Sequence, residues 1–593
     1  MSGRRRARTV PAGRKGWGTR QPKDRHSLMF LLLLGGLTII AGRLVYLQLI
    51  AAPEFAEKAY AQRTRDIELA PRRGSILDRE GEPLAVSTEA RTIYASPRLI
   101  EDPTSTAEAV AGVLGGDVAD YAERLGRDSG FVYIARKVQM ERADAIENLK
   151  LTGIGLSKDS RRTYPGGELA AQVLGFVGVD DAGLGGLESY YDELLAGTPG
   201  SMLAERDRLG RPMPGGVMYM EEPVHGSDIV VSIDRDIQYA AQLELQKAVE
   251  KWSAASGSIV VMDPNTGEIL AMASVPGFNP NRYAEAEAAS QRNRAVTDVY
   301  EPGSTLKSIT AASVIDAGLF DSNDTFVLPP TLKVGDHTIK ESQPRSEVEW
   351  SLAQIVGNSS NVGAVMLGQA LGETPLYDYL MGFGFTSRTG IDFPGEVAGY
   401  MPAVKDWSAT SIANIPFGQG ISTTPLQIAR ATAVIANGGE LVTPHFLLSV
   451  PDQPDVKILH PRTRIISEKA AAETRGVLKV AITEGTGSAA AVAGYEVAGK
   501  TGTAQKARTD GRGYEAGKYI GSFAGFLPAD DPRILVLVVI DEPKGAVYGG
   551  VVAAPVFAEV ARFAVSHLRI PPTTVSPTSA TSDVETMTTG QEP

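Results

Sequence analysis

Cysteine is absent from the 593 residues, which removes disulfides, thiolate metal sites and cysteine nucleophiles together. Histidine is scarce. The six (His26, His225, His337, His445, His460, His567) are scattered, and none forms H-E-x-x-H or another close ligand pair, so neither a metal nor a cofactor is expected. There is no basic excess either. Lys and Arg number 58 against 70 acidic residues, a net charge of -12, which argues against a general nucleic-acid binder. After residue 50, no stretch is long and apolar enough to cross a membrane. What remains is a chain of ordinary globular composition whose length predicts several domains.

One long apolar run is present. Leu28–Ile50 reads LMFLLLLGGLTIIAGRLVYLQLI, matching the ~20 residues that span hydrocarbon. Its one charge, Arg43, lies near the far end, where it can snorkel to headgroups or meet a partner helix. A cleaved signal peptide is the competing reading. The run exceeds the ~7–15 residues of such peptides, and no clear A-x-A site follows. Arg4, Arg5, Arg6, Arg8, Arg14, Lys15, Arg20, Lys23 and Arg25 precede it, and the positive-inside rule keeps that end in the cytoplasm. The rest of the chain is expected outside.

The expected organisation is a basic tail (1–27), an anchor (28–50), a non-catalytic pedestal (51–225), a catalytic domain (226–569) and a disordered Pro/Thr/Ser-rich tail (570–593). Residues 51–68 look helical and extend the anchor. Glycine is dense over 166–200, which predicts tight turns. From Gly226 the pattern changes. Ile229–Ile233 reads as a strand, and Asp234 can cap a helix with the stripe Ile237, Ala241, Leu245, Ala248. Ser258–Met262 and Glu268–Ala273 form a hairpin around Asp263–Gly267. Val497–Thr503, Tyr519–Phe526 and Ile534–Ile540 are further strands, with helical material between the two groups. That order predicts an α+β domain with a mostly antiparallel sheet.

Three short motifs lie in the catalytic part: Ser304-Thr305-Leu306-Lys307, Ser359-Ser360-Asn361 and Lys500-Thr501-Gly502-Thr503. Singly, the first two read better as an ordinary helix start and a turn or cap, and the third also reads as a plain surface strand. Together, in this order, they match the trio of penicillin-binding proteins and class A β-lactamases. The chemistry agrees. Ser304, after the breaker Pro302-Gly303, should sit at a helix N-terminus, where free N–H groups favour developing negative charge. Lys307 lies one turn on, on the same face. A serine hydroxyl needs a base, and Lys307 serves only if burial and a second cation, Lys500, depress its pKa. Ser359 and Asn361 can relay a proton and hold a substrate amide. Lys500–Thr503 reads as an edge strand able to pair with an extended peptide. The N–H groups of Ser304 and Thr503 are the expected oxyanion hole. The hydroxyls of Thr501 and Thr503 suit a terminal carboxylate, and Gly502 leaves room for backbone approach. Glu301 either tunes the site or supports the helix start.

The flanks carry a resemblance along nearly the whole chain. RNRAVTDVYEPGSTLKSIT (292–310), NSSNVG (358–363), FPGE (393–396), FGQGISTTPLQIARA (417–431), AGKTGTAQK (498–506) and YGGVVAAPVF (548–557) resemble the division-type (FtsI-type) class B penicillin-binding proteins. GRLVYLQ (42–48), RGSILDREGEPLAVS (73–87) and GLGGLESYYDELLAGTPG (183–200) are similar to the anchor and pedestal motifs of class B proteins. The resemblance implies an elongated mixed pedestal domain and a penicillin-binding domain with a five-stranded, mostly antiparallel sheet flanked by helices. It implies a peptidoglycan D,D-transpeptidase that acylates Ser304 with one stem peptide of a lipid-linked nascent strand and passes it to an amine on another, with β-lactams as mimics of the donor. It also implies work at the division septum beside a SEDS-family glycosyltransferase and other divisome membrane proteins. An elongation-type transpeptidase, a β-lactamase or β-lactam sensor, and a non-catalytic scaffold are the competing readings.

Overall fold

The computed structural model describes residues 22–206, 212–335, 337–455, 458–508 and 513–573. The basic cluster up to Arg20 and the tail from residue 574 lie outside the described residues. Two compact units are defined. The first holds the apolar helix Pro22–Val45, a π turn Tyr46–Ile50 and the helix Ala52–Arg63. Arg25–Ile50, with mean hydropathy 2.2, is long and apolar enough to span a bilayer, and no second helix among the described residues is. The helical extension stops earlier than the sequence suggests. Thr64–Leu69 is a strand, paired with Gly200–Arg206, which pairs with Pro212–Glu221. Cross-strand pairing overrides the local helical pattern there.

In the second unit, the pedestal residues are built on Pro83–Ala95, a long strand flanked by Val132–Gln139 and Ile154–Thr163. Two motifs far apart in sequence meet beneath it. Arg73 donates from Nε to Glu188 Oε2 (2.7 Å) and from Nη1 to Asp192 Oδ1 (2.6 Å). Arg162 donates from Nε to Glu188 Oε1 (2.6 Å). Glu188 is fully buried, so two guanidinium groups depend on one carboxylate.

The strand expected over Ile229–Ile233 forms over Ile229–Val231, and it belongs elsewhere. It pairs in parallel with Ile76–Leu77 and antiparallel with Leu447–Ser449, so one sheet runs continuously across the expected boundary at residue 225/226.

The sheet of the catalytic part comprises β1 (Ser256–Met262), β2 (Ile269–Val275), β3 (Ala498–Ala507), β4 (Tyr514–Leu527) and β5 (Ile534–Asp541). It is antiparallel throughout, in the order β2-β1-β5-β4-β3. Period-two alternation splits the central strands between two cores. Ile259 and Val261 face one, with Val536 and Val538; Val260 and Met262 face the other, with Leu535 and Leu537. The first core is closed by α1 (Arg235–Lys251) and the C-terminal helix Ala554–His567. Asp234 caps α1, accepting from the N–H groups of Asp236 and Ile237, as the sequence predicts. The second core packs helices that include α2 (Leu306–Asp316), α3 (Asn361–Leu371) and α4 (Glu468–Thr483).

The intervening segment is not wholly helical. Thr325–Leu328 pairs with Val348–Ser351, and Thr331–Val334 with His337–Lys340. Strands of four residues are too short for periodicity to reveal. Residues 570–573, expected in the disordered tail, are instead packed. Ile570 is buried, its carbonyl accepts from Tyr495 Oη (2.6 Å), and Thr573 N donates to Gly494 O (2.9 Å).

Candidate active site

Ser304 occupies a 3₁₀ turn, Gly303–Thr305, that leads directly into α2. Gly303 has φ +56, and its N–H donates to Gly418 O (3.0 Å). A Cβ at 303 would lie 3.0 Å from Thr503 O, so the Ser304 turn and β3 are in backbone contact. Gly502 serves the same contact. A Cβ there would lie 2.3 Å from Ser522 Oγ and 2.9 Å from Thr305 Cγ2, so the space it leaves is filled by the protein itself.

Lys307 and Lys500 lie beneath this turn, each 1% exposed. Lys307 Nζ donates to Ser359 O (2.5 Å) and Asn361 Oδ1 (2.7 Å), with Ser359 Oγ at 3.3 Å. The expected contact with Ser304 is not made. Ser304 Oγ has no hydrogen-bond partner among the described residues and faces the cavity. Carbonyl and amide oxygens are stronger acceptors than a hydroxyl, so they hold the amine. This arrangement suits a base. A neutral amine has two hydrogens, which Ser359 O and Asn361 Oδ1 accept, and a lone pair left for an incoming proton.

Electrostatics favour that neutral form. Burial pushes the Lys307 amine well below the ordinary lysine range, the Lys500 cation pushes it further, and Glu341 opposes both. Burial lowers Lys500 to about 7. Its Nζ donates to Thr501 O and Thr501 Oγ1, both at 3.1 Å.

A testable consequence concerns stability. The Lys500 amine is protonated in the unfolded chain up to 10.5 and deprotonated in the fold above about 7. Folding releases a proton in that window, so stability rises with pH across it, and Lys307 acts in the same direction. Lys500→Met is expected to flatten the rise in part. Thermal melts in detergent at about pH 7 and about pH 10 check this, and an unchanged slope would contradict it.

The loop carrying Ser359 and Asn361 is held in an uncommon conformation. Ser359 has φ +59, a left-handed value that a non-glycine residue adopts at a cost of ~1–3 kcal/mol. The turn aims its carbonyl at Lys307. Asn361 Nδ2 donates to Lys340 O (3.0 Å), which directs Oδ1 to the lysine and leaves one amide hydrogen for substrate.

β3 is an edge strand, as the sequence predicts, so its outer backbone groups can receive an extended peptide. Beside it opens a cavity of about 990 Å³, lined among others by Ser304, Ser359, Asn361, Thr501 and Thr503. Of the eight site residues expected from the sequence, these five line the cavity, and Lys307, Lys500 and Gly502 are not among its lining residues. Thr501 Oγ1 is 2.7 Å from Thr486 Oγ1, and Thr503 Oγ1 accepts from Gly549 N (3.0 Å).

Several residues of the site escape sequence reasoning. Glu341, Arg345 and Thr486 belong to no motif, and they reach the cavity from a hairpin and a helix end distant in sequence. Glu301 has a definite place. Its carboxylate accepts from Gly420 N (2.9 Å) and Tyr514 Oη (3.0 Å), tying the start of the Ser304 turn to β4.

Two family models match the chain: the penicillin-binding protein transpeptidase domain over residues 257–562, and the penicillin-binding protein dimerisation domain over 68–231. Peptidoglycan D,D-transpeptidase FtsI of Escherichia coli is 35% identical over 557 residues, 92% of each chain. Stage V sporulation protein D of Bacillus subtilis is 35% identical over 561 residues, 92% of this chain and 86% of that one. The crystal structure of penicillin binding protein 3 from Mycobacterium tuberculosis, complexed with aztreonam, superposes with a TM-score of 0.68 at 30% identity, covering 85% of this chain and 98% of that one. The chain belongs to the class B penicillin-binding proteins. It is a serine-type penicillin-binding D,D-transpeptidase, whose substrate is peptidoglycan.

Proposed function

We propose that Ser304 is the nucleophile of stem-peptide cross-linking during septal wall synthesis. Its Oγ attacks the penultimate D-alanine carbonyl and passes its proton to Lys307. The N–H groups of Ser304 and Thr503 receive the oxyanion. The C–N bond to the terminal D-alanine breaks, its nitrogen takes the proton back by way of Lys307 and Ser359, and D-alanine leaves. An amine of a neighbouring stem then attacks the ester carbonyl, the new C–N bond forms as the C–Oγ bond breaks, and the amine's proton passes by way of Lys307 to the Ser304 oxygen, which is freed as the hydroxyl. Lys500, Thr501 and Thr503 bind the donor carboxylate, Gly502 lets β3 approach the turn, and Asn361 holds the donor amide. The observation that carries this reading is the buried, charge-depressed Lys307 one turn from an unengaged Ser304 hydroxyl in a cleft. β-Lactams present a similar carbonyl and carboxylate to the same groups.

The division into a basic tail (1–27), anchor (28–50), pedestal (51–225), catalytic domain (226–569) and C-terminal tail (570–593), the first four residues of which pack on the catalytic domain, is part of the proposal, with the N-terminus cytoplasmic and the catalytic domain periplasmic. So is the partner, a SEDS-family glycosyltransferase with other divisome membrane proteins. VYEPGST, around the nucleophile, supports the division role.

Mass spectrometry after penicillin treatment is expected to map one long-lived adduct to the peptide bearing Ser304. An adduct elsewhere would remove the assignment of Ser304, and rapid turnover would indicate a β-lactamase. A fluorescent fusion is expected at the septum; lateral-wall fluorescence would favour elongation.

A further inference from the structure

The Ser-Ser-Asn loop does not hold its shape alone. Glu341 Oε1 accepts the Ser360 hydroxyl (2.5 Å), and Oε2 accepts the Asn361 N–H (2.7 Å). One carboxylate thus bridges the two residues that open α3, at the end of the helix where negative charge is favoured. Ser360 Oγ in turn accepts from Gly363 N (2.9 Å), capping the helix. The neighbouring Lys340 carbonyl orients the Asn361 amide. Lys340-Glu341 therefore seats Asn361, which carries one acceptor of Lys307, and Ser360, the chain neighbour of Ser359, whose carbonyl is the other.

That dipeptide is itself anchored. It ends the hairpin Thr331–Val334/His337–Lys340, whose Val334 and Ile339 are buried against Val362 and Val365 of α3. Arg345 Nη2 donates to Glu341 Oε1 (2.7 Å), and the same guanidinium donates to Leu328 O (3.0 Å) and stacks 5.0 Å from the Trp350 ring centroid. The Glu341 side chain is 7% exposed. A carboxylate so placed is costly to bury unless its contacts are needed.

We infer that Glu341 is a positioning residue of the transpeptidase reaction: it clamps the Ser-Ser-Asn loop so that Ser359 O and Asn361 Oδ1 engage the Lys307 hydrogens and leave the lone pair to Ser304. The inference rests on the reading of Lys307 as the base. Glu341 also acts through its charge. The charged groups around Lys307 are Lys500 from β3, which lowers its pKa, and Glu341 from the hairpin, which raises it, with Arg345 facing Glu341 from the following loop. Glu341 thereby keeps the base from becoming too weak to draw a proton from serine.

The test is the rate of Ser304 acylation by a fluorescent penicillin against pH, with the full chain in detergent. In Glu341→Gln the amide nitrogen cannot accept the Asn361 N–H, and the charge is gone. Acylation is expected to slow ~10- to 100-fold. The acid limb of the profile, below which Lys307 is protonated, is expected to move to lower pH. Glu341→Asp keeps the charge one methylene short, so it should be slowed with the limb near its wild-type place. A wild-type rate and limb in Glu341→Gln would overturn the inference, and so would a slowed rate with an unmoved limb, the mark of a merely structural role. If Glu341→Gln does not fold, a wild-type rate in Glu341→Asp overturns it. Were the wild-type protein itself unlabelled at Ser304, the reading of Lys307 would fall, and the inference with it.

Discussion

Lys307→Ala is expected to slow acylation of Ser304 by penicillin ~10²- to 10⁴-fold, the range a positioned general base supplies. The structure leaves no substitute. Among the described residues Ser304 Oγ has no hydrogen-bond partner, Lys307 is the amine one turn along, in α2, and no histidine lines the cavity. Lys500 is itself buried, with its Nζ turned to Thr501. The fold should survive. The amine sits inside the protein at a desolvation cost, so its removal relieves one strain while it leaves Ser359 O and Asn361 Oδ1 without their donor. Stopped-flow acylation measures the rate, and a melting curve checks the fold. A normal rate in a folded variant would end the assignment of Lys307 as base.

Glu188→Ala is expected to destabilise the pedestal by ~3–5 kcal/mol, a large part of the ~5–15 kcal/mol that holds a domain together. The carboxylate is the shared partner of Arg73 and Arg162, and it also accepts from Tyr164 Oη at 3.2 Å. Its loss falls unequally on the two arginines. Arg73 keeps Asp192, which is partly exposed, and the Glu188 and Asp181 carbonyls. Arg162 keeps the Gly74 carbonyl and a long contact to Ser87, and its Nη2 already lacks a partner. Arg162→Met in the Glu188→Ala background should therefore recover part of the loss, because a buried charge without a counterion is removed. Thermal melts and limited proteolysis of the pedestal read the effect. A Glu188→Ala protein as stable as wild type would show that the network is not the pedestal's electrostatic core.

The two buried sites make different demands on their charges. In the pedestal, opposite charges meet and burial is compensated. At Lys307 and Lys500, like charges approach each other with one carboxylate, Glu341, nearby, and the proposed chemistry draws on the imbalance. Such a site is costly to the fold, which is expected where function rather than stability selects the residues.

Much of this was legible in the linear sequence. The apolar run, the strands of the sheet and the Asp234 cap follow from periodicity and propensity, which are local properties. The Ser-x-x-Lys spacing, the Ser-Ser-Asn turn and the Lys-Thr-Gly strand carry their chemistry in residue types at short spacing, so their order and their flanks singled out residues that line one cleft or pack beside it. Pairing between distant segments was not legible. Ile229–Val231 reads as a strand from its composition, yet nothing local says that its partners are Ile76–Leu77 and Leu447–Ser449. Glu341 reads as one acidic residue among many until the hairpin folds onto α3 and sets its carboxylate under Ser360 and Asn361. Short-range pattern specifies elements and reactive groups, because those depend on neighbours in the chain. Which acceptor holds the Lys307 amine, and which charge offsets it, depends on groups brought together only by packing, and the tertiary structure alone decided both.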